Sequence, residues 1–125
     1  MADQAPQDRM LLGTANSDGT FTGVTVDETT SIELPPSSHQ LAAIVIIGNG
    51  TTSSGVIKIE EAFHAANCMP YSGTWSELYS VNASDVTGGA QKIVHLPQAA
   101  LFPIRVRIST VIGGGGGISA ALRYQ

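Results

Sequence analysis

The stretch that most constrains this chain runs from residue 101 to residue 124. In Ile104-Arg105-Val106-Arg107-Ile108-Ser109 apolar and polar side chains alternate, and in Ile118-Ser119-Ala120-Ala121-Leu122-Arg123 they do so again. Successive side chains of a strand point to opposite faces, so each flank reads as a half-buried β-strand. Between them stand five glycines, Gly113 to Gly117, which accept either sign of φ and suit a tight reversal. The stretch therefore predicts a β-hairpin. A phosphate-binding loop is a poor reading of the same glycines, because such a loop needs a helix N-terminus after it, and here a strand follows.

The remainder repeats this theme. Met10-Leu11-Leu12 is a small apolar patch, either the start of a first strand or part of an arm that docks on a neighbouring subunit. Asn16-Ser17-Asp18-Gly19 signals a turn, and residues 20–26 alternate with Gly23 as a candidate bulge. Residues 29–34 make a short strand stopped by Pro35-Pro36, which cannot donate to a ladder. Residues 41–47 are apolar on both faces, as in a central strand covered on both sides or one that faces a partner subunit. Residues 56–63, 74–81 and 92–96 continue the series, with at most one helical turn in residues 60–67. In residues 74–81 the large side chains fall on two phases, Trp75, Glu77, Tyr79 and Val81 on one and Leu78 on the other. The pattern predicts an all-β fold, an antiparallel, jelly-roll-like β-sandwich of about eight strands. Its expected organisation is an N-terminal arm over residues 1–12 and a single sandwich domain over residues 13–125.

Composition supports one domain and narrows the partners. A chain of 125 residues with 42% hydrophobic content fills one core. The 14 glycines and low charged fraction of 13% suit short strands and turns. A net charge of −4 argues against a nucleic-acid partner, since phosphate binding needs a basic surface. The longest apolar run, residues 41–47, is far short of the ~20 residues of a membrane span, and no basic, apolar leader opens the chain. One cysteine, Cys68, leaves no internal disulfide, which fits assembly in a reducing cytoplasm. A non-secreted protein with no membrane partner is expected.

Candidate chemistry is sparse. His64 and Cys68 would share a face only on a helix, and neither they nor His39 and His95 complete a zinc pattern. No nucleophile elbow is present, and the adjacent carboxylates Glu60-Glu61 and Asp27-Glu28 point to opposite faces of a strand. No catalytic residue, metal or cofactor is expected. Arg105, Arg107 and Arg123 could cluster on one face of the predicted hairpin, either as a solvated face or as an anchor for acidic groups of a partner protein. Trp75, with Tyr71 and Tyr79, reads either as a core or interface aromatic or as a stacking platform for sugars.

Over residues 20–125 the order of elements resembles the small β-sandwich virion proteins of tailed bacteriophages, of the capsid decoration (cement) type. The resemblance is carried by Thr29-Thr30-Ser31-Ile32-Glu33-Leu34, Leu41-Ala42-Ala43-Ile44-Val45-Ile46, Gly73-Thr74-Trp75-Ser76-Glu77-Leu78-Tyr79, Ile104-Arg105-Val106-Arg107-Ile108-Ser109 and Gly117-Ile118-Ser119-Ala120-Ala121-Leu122. The chain departs from the pattern at Asn67-Cys68-Met69-Pro70. The resemblance implies a non-enzymatic protein on the capsid surface, assembled in the host cytoplasm. It would stabilise the assembled head by bridging subunits of the major capsid protein. A homo-oligomer, dimer or trimer, matches the symmetry of a shell, and residues 41–47 would suit its interface. The expected partner contacts are Met10, Leu11, Leu12, Arg105, Arg107 and Trp75. The alternative is a tail or fibre module that binds host-surface glycan through Trp75, Tyr71 and Tyr79.

Overall fold

The computed structural model describes residues 9–27, 33–34, 42–62, 73–96 and 103–124. Among these, ten strands run in chain order: β1 (Arg9–Leu12), β2 (Thr14–Ala15), β3 (Phe21–Thr22), β4 (Glu33–Leu34), β5 (Ala42–Asn49), β6 (Ser54–Ala62), β7 (Trp75–Asn82), β8 (Gln91–His95), β9 (Ile104–Gly113) and β10 (Gly117–Tyr124). A 3₁₀ stretch, Ala83–Gly89, joins β7 to β8 and is broken where Val86, Thr87 and Gly88 leave helical φ/ψ. Eight strands form two antiparallel sheets, β1-β10-β5-β8 and β4-β9-β6-β7, while β2 and β3 pair as a separate hairpin.

The pairing is nested. β6 pairs with β7, β5 with β8, β4 with β9, and β1 with β10. The chain is thus one long antiparallel ribbon turned back between β6 and β7. Rolling that ribbon sets β10 beside β5 and β9 beside β6, which completes both sheets. This is jelly-roll connectivity, and the β2–β3 hairpin is an insertion between its first two strands. The all-β sandwich expected from the alternation is borne out.

Alternation builds the core. Leu12, Ile44, Ile46, Ile118 and Leu122 from the first sheet meet Ile57, Ile59, Val106 and Ile108 from the second in one buried cluster. Fully burying each such side chain contributes about 1.5–3 kcal/mol, so this layer dominates the stability of the fold. Val86 and Ala83 of the 3₁₀ stretch join the cluster. They fit because the strand position facing them in β5 is Gly48, whose Cβ, if present, would collide with the Val86 carbonyl.

Three expectations change. First, β9 and β10 are not a hairpin: β9 pairs with β4 and β6, β10 with β1 and β5, and the glycine run carries the chain from one sheet to the other. The reason lies in β10, which is buried at every position from Ile118 to Leu122, Ser119 and Ala121 included. Such a strand needs a central place, not an edge. Second, Ala43, Ile44, Val45 and Ile46 are all buried within the single chain, so the covered central strand is the correct alternative and these residues are not open to an oligomer interface. Third, the sandwich begins at Arg9, since β1 pairs with β10 and Leu11 and Leu12 are core. Residues 1–8 of the predicted arm lie outside the described residues, as do residues 63–67, where a helical turn was allowed.

Candidate functional site

The polar chemistry of the fold gathers on the outer face of the second sheet. Ile57 and Ile59 of β6 and Val106 and Ile108 of β9 face the core, so Lys58, Glu60, Arg105 and Arg107 face outward. The register sets Lys58 opposite Arg107, and Glu60 opposite Arg105. On the other side of β6, Glu60 lies opposite Glu77 and Ala62 opposite Trp75. A β-bulge in β7 makes this possible: Ile59 pairs with Tyr79 and Glu60 with Glu77, so Leu78 is the extra residue. The bulge lets Leu78 pack against the core while Trp75 and Glu77 stay on the outer face.

Glu60 is the hub. Arg105 Nε donates to Glu60 Oε1 at 2.8 Å, and Arg107 Nε donates to the same oxygen at 2.9 Å. The Glu60 side chain is 8% exposed, whereas those of Arg105 and Arg107 are 25% and 32% exposed. Burial alone would push the Glu60 carboxyl up, but the hydrogen bonds and charges of Arg107 and Arg105 hold it below the usual carboxylate range. The Arg105 guanidinium carbon lies 4.3 Å from the centroid of the Trp75 ring, a cation–π stack that fixes its plane. Beside them Lys58 Nζ and Glu77 Oε1 form a more exposed ion pair at 3.1 Å.

The structure thus brings together Arg105, Arg107 and Trp75 of the expected contacts. Arg123 is exposed on β10 in the other sheet, so the three arginines do not share a face, which follows from the loss of the hairpin. Leu11 and Leu12 are corrected from contact residues to core residues, and Met10 beside them is half-buried. Tyr79 does not join Trp75: its hydroxyl donates to the His95 carbonyl at 3.4 Å, tying the edge of the second sheet to β8 of the first. Tyr71, His39, His64 and Cys68 lie outside the described residues. Among the described residues no three His, Cys, Asp or Glu side chains converge as a metal site.

Sequence reasoning missed Lys58, weighed Glu60 only as half of a carboxylate pair with Glu61, and saw Glu77 only as sharing a strand phase with Trp75. The available signal was the alternation of Glu60 with Ile57 and Ile59, which places a carboxylate in the middle of a long strand. Its partners are 45 and 47 residues away, beyond any local pattern. No protein-family model matches the chain, and no curated protein matches it at a significant level.

Proposed function

We propose that this chain is a non-enzymatic virion structural protein that decorates an assembled capsid. In this reading it stabilises the shell by bridging neighbouring major capsid subunits, acting as a dimer or trimer. The observation that carries the reading is the ribbon connectivity, because the eight-stranded jelly roll is an architecture of viral capsid domains. That support is an analogy at the level of the fold, joined by the resemblance over residues 20–125. The paired arginines on the outer face of β9 are consistent with it, as an anchor on a neighbouring protein. A lectin is another use of this architecture. The site favours it less, since Arg105 already covers a face of Trp75 and Tyr79 points elsewhere.

The test is reconstitution. Purified protein is added to shells assembled from the major capsid protein encoded with it, binding is read by co-sedimentation, and shell integrity is followed on heating. Saturable binding and a higher disruption temperature are expected. Shells that bind none of it and withstand heat equally well without it would overturn the reading, and density confined to a tail in a reconstruction of the particle would replace it with the glycan-binding one.

A further inference from the structure

We propose that Asn49–Gly50 is a latent modification site that the fold keeps closed, a centre of spontaneous deamidation that converts only when the corner between β5 and the glycine run opens. This holds whether or not the chain decorates a capsid. Asn49–Gly50 is the single Asn–Gly pair of the chain. Glycine has no side chain to crowd its own nitrogen, so in an unconstrained chain the Gly50 nitrogen readily attacks Asn49 Cγ. The Cγ–Nδ2 bond breaks, Nδ2 leaves as ammonia with the Gly50 amide proton, and a succinimide ring remains. Water then opens the ring at either carbonyl, to aspartate or to isoaspartate.

Two features of the folded chain oppose this step. Asn49 is paired with Gly117 at the end of β5 and is held extended, whereas ring closure needs a ψ that turns the next nitrogen back toward the Asn49 Cγ. Its amide is also engaged: Nδ2 donates to Ser119 Oγ at 3.1 Å, and Ser119 is wholly buried. The same amide lies against backbone, since a Cβ built on Gly23 would be 2.8 Å from Nδ2. Gly50 by contrast is exposed, with φ of +78°. The attacking residue thus sits at the surface while the group it must attack is pinned.

The products do not fit the same seat. Gly88 N donates to the Gly50 carbonyl at 2.9 Å and Gly116 N to the Thr51 carbonyl at 2.7 Å, and a Cβ on Gly116 would collide with the Asn49 carbonyl. Isoaspartate adds a carbon to the backbone at this point and displaces these carbonyls from their partners. Either product sets a carboxylate where a neutral amide lay beside Ser119 and Gly23, which costs desolvation. One opening that lasts long enough for ring closure therefore leaves the corner permanently loosened.

The test follows the whole protein in mildly alkaline buffer, folded and in denaturant, with residue 49 read by peptide mapping and isoaspartate detection. Conversion at Asn49 is expected to be slower by about tenfold or more in the folded protein, the protection that closing the corner gives. Ser119→Ala removes the acceptor, and a thermal melt checks its fold; its folded-state conversion is expected to be faster by about two- to tenfold, the worth of one hydrogen bond. Protein converted in denaturant and then refolded is expected to melt below unconverted protein treated in the same way. Equal conversion rates in the folded and denatured protein, a folded Ser119→Ala no faster than the unmutated protein, or converted protein that melts like the unconverted would each overturn the proposal.

Discussion

Glu60 is a charged residue in a strand whose neighbours Ile57 and Ile59 are core, and its 8% exposed side chain survives there only because two arginines meet it. Exposed ion pairs contribute about 0–1 kcal/mol and breaking buried ones costs about 3–5 kcal/mol; with one buried and two part-exposed partners, Glu60→Gln is expected to destabilise by about 2 kcal/mol in chemical denaturation at neutral pH. Its carboxyl is held below the usual value of 4.5 in the folded protein. The stabilisation is therefore present above about that value and lost as pH falls through the lower folded-state pKa. Stability of the unmutated protein should decline on that acid limb, and Glu60→Gln should show a shallower decline; identical acid slopes would show that the cluster contributes nothing. Leu12 tests a different assignment, since it is wholly buried. Leu12→Ala is expected to cost about 2–4 kcal/mol in the isolated protein, as a core cavity does, whereas a docking residue would leave the melt unchanged. Arg105, Arg107 and Trp75 were legible as candidates because cationic and aromatic side chains on a strand need an explanation. Glu60 was not, because its meaning depends on partners from another strand.

At the scale of elements, the two-phase pattern of β7 is the clearest case of a local signal with a structural cause. Val81 faces the core, the bulge at Leu78 resets the alternation, and Trp75 arrives on the outer face. The glycine run is the contrary case. Gly114 and Gly115 have φ of +109° and +97°, so a reversal there was legible. Whether the reversal made a hairpin or a corner between sheets was not, because alternation says that a strand has two unlike faces and is silent about its neighbours. Gly48 belongs to the same class. In the sequence it stands just beyond the apolar run of residues 41–47, but it is the seat on which the 3₁₀ stretch packs, with Gly48 N donating to the Ala90 carbonyl at 3.3 Å. Gly48→Ala is expected to cost about 1–3 kcal/mol by overpacking. Thermal denaturation checks this; Gly19→Ala, where nothing lies within 4 Å of the added Cβ but φ is +89°, shows by comparison what backbone strain alone costs.

For the whole molecule, nested pairing means that the last strand completed is tied to the first: Arg9 lies opposite Leu122. Such long-range pairings pay loop-closure entropy before they are rewarded, so refolding is expected on the millisecond-to-second scale of all-β domains, read by stopped-flow Trp75 fluorescence. Removing residues 1–12 should strip β1 from β10, open an edge and uncover the seat of Leu11 and Leu12. A lower melting temperature and concentration-dependent association in sedimentation are expected, and a truncated protein that melts and sediments like the full chain would refute the place given to β1. The sequence by itself determined that this protein is made of short strands with one apolar face each, because side-chain period and turn chemistry are local properties written in neighbouring residues. It also marked Arg105, Arg107 and Trp75. Only the tertiary structure decided which strand lies beside which, that Leu12 and residues 43–46 are buried, and that a buried Glu60 collects two arginines. Those outcomes depend on contacts between residues far apart in the chain, chosen by how the whole ribbon buries its apolar faces, and no window of neighbouring residues contains them.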